Sequence, residues 1–283
     1  MSRISFRGLQ SPKPRNYRET LQMQNDPKAD PSDLVAASRE SLLRAHIIHG
    51  FDSATVSANL SGCYGTLMRS VYRDMLSLLG GGRILDCGCG FGQFSRIAID
   101  AGFEVVSIDI DDESLALARE ISRIPCRKES VYATSLSDNS CDTAVCCDSI
   151  QHFEIGRFVA ELNRLGIGRI VIYDSNISNP LLTLYRLISG HRESNDRTVA
   201  EIVREFRDRG FDLAAVRYEN VISIPISGGL QRRPVPVLHR FPDAIGRIDR
   251  LLEKGVRLLG LDRYMAFRFL LVLDRRGAPN AGA

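Results

Sequence analysis

Residues Arg83–Gly92 have the sequence Arg-Ile-Leu-Asp-Cys-Gly-Cys-Gly-Phe-Gly, and this stretch decides the fold of the 283-residue chain. Its apolar start predicts a short buried strand. Glycines at every second position, Gly88, Gly90 and Gly92, predict a tight turn at positive φ that leaves room for a ligand against the main chain. Residues 93–102 predict a helix whose first N–H groups face that ligand.

An acid lies at the end of the apolar strand, where Asp86 precedes the glycine turn. A charge in that position costs free energy unless a cation or a hydrogen-bond donor is close to it. The position therefore indicates that Asp86 either contacts a ligand or orients the turn.

Short apolar segments alternate with amphipathic ones after this stretch. Strands are predicted at Arg83–Cys87, Glu104–Ile110, Glu129–Ala133, Thr143–Cys147 and Arg169–Tyr173, and helices at Gln93–Ala101, Glu113–Ile121 and Ile155–Leu165. This alternation predicts an α/β fold with a mostly parallel sheet and helices on both faces. Ligands of such sheets bind at the carboxyl ends of the strands.

The flanking regions predict further helices and a return to strand. Helices are expected from Ser32 or Asp33 to His46, and at Tyr64–Leu79, Pro180–Gly190, Thr198–Arg209 and Asp243–Leu259. An irregular strand is expected at Phe211–Ile226 and an apolar strand at Met265–Leu273. We expect one domain over residues 33–276, made of N-terminal helices (33–80), a ligand-binding core (81–175) and a substrate-side part (176–276). Residues 1–32 and 277–283 are expected to be disordered tails.

Composition narrows the class of protein. Hydrophobic residues make up 44% and charged residues 25%, as in globular proteins. No apolar run reaches the roughly 20 residues that span a bilayer, and no signal core follows Met1, so we expect a cytoplasmic protein without an integral membrane segment. The net charge is +3, and the sequence has no dense run of Lys and Arg. Nucleic acid is therefore not an expected partner.

Seven cysteines form an odd set that lies mostly within apolar strands. The favoured interpretation is buried, reduced thiols that pack as small apolar residues. Neither the Cys87-x-Cys89 pair nor the adjacent Cys146 and Cys147 has the spacing of a metal site, and no metal is expected.

The glycine turn distinguishes two nucleotide-binding patterns. The dinucleotide fingerprint G-x-G-x-x-G would need its third glycine at position 93, where this chain has Gln93. The observed Asp-x-Gly-x-Gly-x-Gly instead resembles motif I of the class I S-adenosylmethionine (SAM) methyltransferases. Four later stretches resemble the same family in the same order: Val105–Ile110, Asp138–Val145, Gln151–Phe153 and Phe158–Ile172.

The resemblance implies a Rossmann-like sheet of seven strands, with an antiparallel C-terminal strand, that binds SAM as methyl donor. Asp109, at the end of the second strand, is expected to accept hydrogen bonds from the ribose hydroxyls, whereas Asp111 or Asp112 fits a helix cap better. Ile110 is expected to pack on the adenine. The implied cofactor-binding residues are Asp86, Gly88, Cys89, Gly90, Gly92, Asp109, Ile110, Tyr132, Ala133, Cys147 and Asp148.

The sequence departs from the family at Val131–Leu136, where members often have an acid and this chain has Tyr132 near that position. His152, after the fourth strand, is the candidate general base; its alternative role is packing or ordering a loop. Tyr173, Asp174 and Asn176 either line the pocket or are ordinary turn residues.

The expected reaction is in-line transfer of the SAM methyl to a small molecule, with oxygen favoured as acceptor atom and carbon or nitrogen open. The acceptor is expected to be bound by residues 33–80 and 176–245. A non-catalytic regulatory protein that binds SAM or S-adenosylhomocysteine (SAH) is the alternative. A nicotinamide-dependent oxidoreductase is disfavoured by Gln93.

Overall fold

A computed structural model describes residues 53–189, 196–229 and 233–277. The predicted tail 1–32, the predicted helix that begins at Ser32 or Asp33, and most of the C-terminal tail lie outside these residues.

Helices and strands alternate through the centre of the chain. In chain order the elements are α1 Ser53–Ser61, α2 Cys63–Leu76, β1 Arg83–Cys87, α3 Gln93–Asp100, β2 Glu104–Asp109, α4 Asp112–Leu117, β3 Cys126–Lys128, β4 Thr143–Cys147, α5 Ile155–Arg164, β5 Arg169–Ser175, α6 Pro180–Ser189, α7 Val199–Arg207, β6 Phe211–Glu219, α8 Ser223–Ser227, α9 Pro242–Leu258, α10 Asp262–Met265 and β7 Arg268–Arg275. A π-helical turn, Ala118–Ser122, continues α4, and single 3-10 turns lie at Ile150–His152 and Leu238–Arg240.

The strands form one seven-stranded sheet in the order β3-β2-β1-β4-β5-β7-β6. Strands β3, β2, β1, β4 and β5 pair in parallel, and β7 is antiparallel to both of its neighbours. The predicted mostly parallel, Rossmann-like sheet with an antiparallel C-terminal strand is therefore confirmed. The carboxyl ends of β1, β2, β4 and β5 meet at one edge of this sheet.

Helices cover both faces of the sheet, as predicted. On one face, alternate residues of the central strands pack with Phe158 of α5 and Phe206 of α7 in the main hydrophobic core. On the other face, Tyr72 of α2 stacks edge-on against Phe94 of α3 and Tyr173 of β5. Burial of these faces supplies most of the driving force for folding.

The third strand was predicted too late in the chain. The prediction placed it at Glu129–Ala133, whereas β3 occupies Cys126–Lys128 and pairs with β2 from Ser107↔Cys126 onward. As the edge strand it turns Arg127 and Lys128 to solvent, so it lacks the apolar pattern that marks a central strand. The predicted stretch forms a turn closed by the N–H of Ala133, which donates to the carbonyl of Ser130.

The predicted strand Phe211–Ile226 was correct only in its first half. Strand β6 ends at Glu219, because Asn220 adopts a left-handed φ of 63° and the next residues enter α8. Helix α1 was not predicted, and Gly62 separates it from α2.

Among the described residues, no helix has both the length and the apolar character to cross a bilayer. The seven cysteines are free thiols, and three of them, Cys89, Cys126 and Cys147, are half-buried where the sequence predicted mostly buried ones. In the part of the chain that the structure describes, no cluster of three or more His, Cys, Asp or Glu side chains could hold a metal ion.

Candidate functional site

The glycine turn after β1 is tied to the end of β2. The N–H groups of Gly88 and Cys89 both donate to the carbonyl of Ile108, at 3.0 and 2.9 Å, and the N–H of Gly90 donates to the Asp109 carboxylate at 2.8 Å. All three glycines adopt the left-handed φ that the sequence predicts. These bonds fix the turn at the carboxyl edge of the sheet.

The three glycines do different things. A Cβ added at Gly88 would lie 2.9 Å from Cβ of Ser149, and one added at Gly92 would lie 2.4 Å from Cδ1 of Ile124. A Cβ added at Gly90 would meet no atom of the described residues within 4 Å. A side chain at Gly88 or Gly92 would therefore displace a neighbouring side chain, and of the three glycines Gly90 is the one that borders open space.

Asp86 is buried beneath the turn in a network of hydroxyl groups. Its Oδ2 accepts a hydrogen bond of 2.6 Å from Ser95 of α3, and the Ser95 hydroxyl also lies 2.6 Å from the Ser107 hydroxyl of β2. Its Oδ1 has no hydrogen-bond partner among the described residues although it is buried. An unpaired buried carboxylate oxygen is costly, which indicates that a donor from outside the protein completes it.

Burial raises the pKa of Asp86 to about 7, although the hydrogen bond from Ser95 acts in the opposite direction. The nearby Asp109 raises it further. A ligand that brings a cation or an N–H donor to Oδ1 would favour the ionised carboxylate.

Asp109 closes β2 with a carboxylate held in a fixed orientation. Besides the bond from Gly90, its Oδ1 accepts the N–H of Asp111 at 3.0 Å. Asp111 is the N-cap of α4 and accepts from the N–H of Ser114, so the helix cap falls on Asp111, one of the two predicted positions. Next to Asp109, the side chain of Ile110 is exposed beside the turn, although apolar residues normally favour burial.

The end of β4 lies beside this turn. Cys147 is half-buried, and Asp148 adopts a left-handed φ of 55°, which is uncommon for a residue other than glycine. The guanidinium of Arg268 from β7 pairs with the Asp148 carboxylate and donates to the Ser175 hydroxyl at 2.7 Å. Backbone strain of this kind concentrates at functional sites.

Comparisons with known proteins match the central part of the chain to methyltransferases. The model of the methyltransferase domain matches residues 85–168. A 66-residue stretch is 41% identical to malonyl-[acyl-carrier protein] O-methyltransferase of Pectobacterium atrosepticum, covering 21% of this chain and 26% of that protein. These matches support a class I SAM-dependent methyltransferase domain in this part of the chain. The methyl donor of this family is SAM.

Solved structures of methyltransferases share the fold of this chain. A SAM-dependent methyltransferase from Archaeoglobus fulgidus superposes with a TM-score of 0.53 at 17% identity, over 74% of this chain and 94% of that chain. Geranyl diphosphate C-methyltransferase from Streptomyces coelicolor superposes with a TM-score of 0.52 at 14% identity, over 73% and 77%. The chain spans only 26% and 34% of the length of the two curated relatives it matches.

Tyr132 contacts the start of α5. Its hydroxyl accepts the N–H of Glu154 at 2.8 Å, its ring stacks edge-on with Phe153, and the guanidinium of Arg157 lies 4.7 Å from the ring centroid. Ala133, beside it, is exposed in the turn. The contacts of Tyr132 give it a packing role within the protein, and its predicted contact with the cofactor stays a prediction.

His152 closes the 3-10 turn after β4, and its N–H donates to the carbonyl of Ser149 at 3.0 Å. The side chain is half-buried. The backbone bond of the turn is enough to explain where His152 lies. Its role as a base stays a prediction.

The polar residues at the end of β5 form hydrogen bonds within the protein. Asp174 accepts the N–H of Ile150 at 3.0 Å, and the Asn176 amide donates to the carbonyls of Arg263 and Ala266 at 2.8 and 2.9 Å. These contacts agree with the interpretation of both as turn residues. Tyr173 is fully buried and donates to Asn220.

Sequence reasoning missed Ser95, Ser107 and Arg268. The signal for the serines was their position: Ser107 lies on an otherwise apolar strand, and Ser95 lies on the buried side of α3. Arg268 gave no local signal, because it reaches Asp148 from 120 residues further along the chain.

Proposed function

We propose that this protein transfers the methyl group of SAM to a small-molecule acceptor, with oxygen as the favoured acceptor atom. The observation that carries the proposal is the buried Oδ1 of Asp86, which has no partner among the described residues and belongs to the strand that leads into the turn at Gly90, where space is open. When bound, SAM supplies a methyl group on a positively charged sulfur, which a nucleophile attacks in line.

The residues at this edge fit SAM. Asp86 Oδ1 would accept a hydrogen bond from the methionine ammonium, directly or through water, and Gly90 would let the methionine part approach the main chain. Asp109 would accept from the ribose hydroxyls with its remaining lone pairs, and the exposed Ile110 would cover the adenine. Gly88, Gly92 and Cys89 would hold the turn in shape for this ligand.

The acceptor side would be formed at the ends of β4 and β5. Cys147 and Asp148 would border the sulfonium, and burial, which raises the pKa of the Cys147 thiol well above its usual range, keeps it neutral and slow to react there. His152 would accept a proton from acceptors that must lose one. Oxygen is favoured because the Pectobacterium relative is named as an O-methyltransferase.

The test of the donor site is calorimetric titration with SAH. Asp109→Ala should weaken SAH binding by roughly 10- to 100-fold, since the ribose would lose hydrogen bonds to a charged acceptor. Asp111→Ala is the matched control, because it removes a neighbouring acid that caps α4 and should leave SAH affinity within a few fold. Folded protein that binds no SAH would refute the proposal.

The test of methyl transfer is incubation with isotope-labelled SAM and a metabolite extract, followed by mass spectrometry of labelled products. A labelled small molecule identifies the acceptor and the atom methylated. In the same assay His152→Gln should slow turnover and leave SAH affinity unchanged. Tight SAH binding with no labelled product in any extract would favour the non-catalytic alternative.

A further inference from the structure

The outer face of α9 presents an apolar stripe to solvent. Apolar and small residues recur along it at spacings of four and three, the spacing that aligns side chains on one helix face. The stripe consists of Ala244, Ile248, Leu251, Gly255, Leu258 and the neighbouring Leu259. Leu251 is 68% exposed, Leu258 89% and Leu259 73%.

This stripe is not the face that packs α9 onto the protein. Ile245 and Asp249 are buried on a different side of the helix, where Ile245 packs with Leu67 of α2. Exposed apolar side chains continue beyond both ends of α9, at Phe241 before it and at Tyr264 and Met265 of α10 after it. A surface of this extent marks an interaction site in a soluble domain.

Cations border the stripe along one flank. Arg247, Arg250, Lys254 and Arg257 are exposed, and none of them has a salt bridge within 4 Å among the described residues. Arg257 is close enough to Glu253 and Glu219 to oppose the rise in the pKa of each. Asp243 is the one exposed acid on α9, since Asp249 is buried and Glu253 is half-buried.

A cleft of about 260 Å³ between α2 and α9 lies on this cationic flank. Arg247 and Arg250 line it with the hydroxyl residues Thr66 and Ser70, and Asp243 is the one acid in its wall. The Thr66 hydroxyl donates to the carbonyl of Gly62, so the donors that the cleft offers are the two guanidinium groups and the Ser70 hydroxyl. Phosphate oxygens accept from such groups.

We propose that α9 and α10 dock this protein onto an anionic phospholipid membrane. The Leu and Ile side chains of the stripe would enter the boundary between headgroups and acyl chains, and the flanking cations would meet lipid phosphates. A helix of 17 residues that keeps its charged flank in water lies in the plane of the interface and does not span it.

The charges favour this occupant over a second copy of the chain. In an antiparallel pair of α9 helices, the cationic flank of one helix faces the cationic flank of the other. Arg247 and Lys254 of one copy would therefore lie against the same cations of the second copy. An anionic surface removes this repulsion. The proposal is independent of methyl transfer, because docking is measured without turnover.

The experiment is co-sedimentation of the full chain with vesicles of phosphatidylcholine alone or with phosphatidylglycerol. We expect binding to the anionic vesicles only, and a loss of binding as salt rises, because the cations are exposed and screened. Equal binding to neutral vesicles, or no binding by folded protein, would overturn the proposal.

Two double variants test the two parts of the surface. Arg247→Glu/Lys254→Glu should weaken anionic-vesicle binding at least about tenfold, since each cation near such a surface contributes about a factor of five. Leu251→Glu/Leu258→Glu should do the same without changing the stripe's cationic flank. The matched control is Arg204→Glu/Arg207→Glu, the same charge change on the exposed side of α7.

Circular dichroism confirms that each variant is folded, and sedimentation velocity reports its oligomeric state. Control and test variants that bind alike would exclude α9 as the docking element. A dimer in solution that the leucine variants convert to monomer would assign the stripe to a second copy and overturn the proposal. The salt dependence of the unmodified chain stands as a test that needs no variant.

Discussion

At the scale of single residues, Asp86 is a buried acid whose surroundings oppose its ionisation. Its carboxylate is 1% exposed, shares one oxygen with Ser95 and leaves the other without a partner among the described residues. A folded-state pKa of about 7, well above that of a free aspartate, means that the folded protein holds the proton more tightly than the unfolded chain does. Ionisation of Asp86 therefore lowers stability as pH rises from about 4 to about 7.

The same group predicts a pH dependence of ligand binding. An ammonium donor requires the ionised form of Asp86, so SAH affinity should rise as pH increases through 7 and level off above it. Below pH 7 the affinity should fall by at most about tenfold per pH unit. Calorimetry between pH 5.5 and 8 measures this profile.

Asp86→Asn provides the control, because the amide oxygen keeps the bond from Ser95 and cannot ionise. This variant should bind SAH weakly at every pH and show a flat profile. A sloping profile in the variant would assign the titration to another group and contradict the role of Asp86.

At the scale of elements, α9 holds the corner that ends β6. The buried carboxylate of Asp249 accepts three N–H groups, those of Val221, Ile222 and Ser223, at 2.9, 2.8 and 3.3 Å. Glu253, one turn later, accepts the N–H of Asn220 at 2.7 Å. These N–H groups leave the hydrogen-bond ladder of the sheet when the chain turns into α8. The two carboxylates accept their hydrogen bonds in place of the neighbouring strand.

Removal of this anchor should destabilise the whole domain. Asp249→Ala leaves three buried or half-buried N–H groups without their acceptor, which should lower the free energy of unfolding by about 2–4 kcal/mol. Urea denaturation measures the change. Asp243→Ala, which removes an exposed acid from the same helix, should change it by no more than about 1 kcal/mol.

A drop of less than about 1 kcal/mol in Asp249→Ala would mean that water replaces the carboxylate at this corner. It would show that Asp249 is not the anchor of the β6–α8 corner.

At the scale of the whole molecule, the fold buries the seven thiols to different degrees. Cys63, Cys87, Cys141 and Cys146 are buried, and Cys89, Cys126 and Cys147 are half-buried. Burial raises the pKa of the three half-buried thiols, so they react slowly even where reagent reaches them. Two of the three, Cys89 and Cys147, lie at the edge where we propose that SAM binds.

This distribution predicts a protection pattern. Iodoacetamide should label at most the three half-buried cysteines of the native protein, and SAH should protect Cys89 and Cys147 from it. Cys126 serves as the internal control, because it lies on the edge strand and its labelling should not change. Peptide mapping by mass spectrometry reads each site, and urea should expose all seven.

Labelling of Cys89 and Cys147 that SAH does not slow would place both outside the cofactor site. Protection of Cys126 to the same degree would indicate a general tightening of the fold.

The sequence by itself determined the strand–turn–helix unit around Asp86 and the Rossmann-like class of the sheet. Both follow from local rules: period-two or continuous apolar runs make strands, and glycines at alternate positions make the turn. The positions of β1, β4 and α5 needed nothing beyond these rules. The sequence left the cap of α4 to Asp111 or Asp112, and the structure assigns it to Asp111.

Only the tertiary structure decided which groups meet. Ser95, Ser107 and Asp86 share hydrogen bonds because β1, β2 and α3 pack together, and Arg268 reaches Asp148 because β7 inserts beside β5. The edge strand β3 and the end of β6 were misplaced for the same reason, since pairing partners and the distant Asp249 fix them. Side-chain contacts between distant segments depend on the packed chain, and no local pattern encodes them.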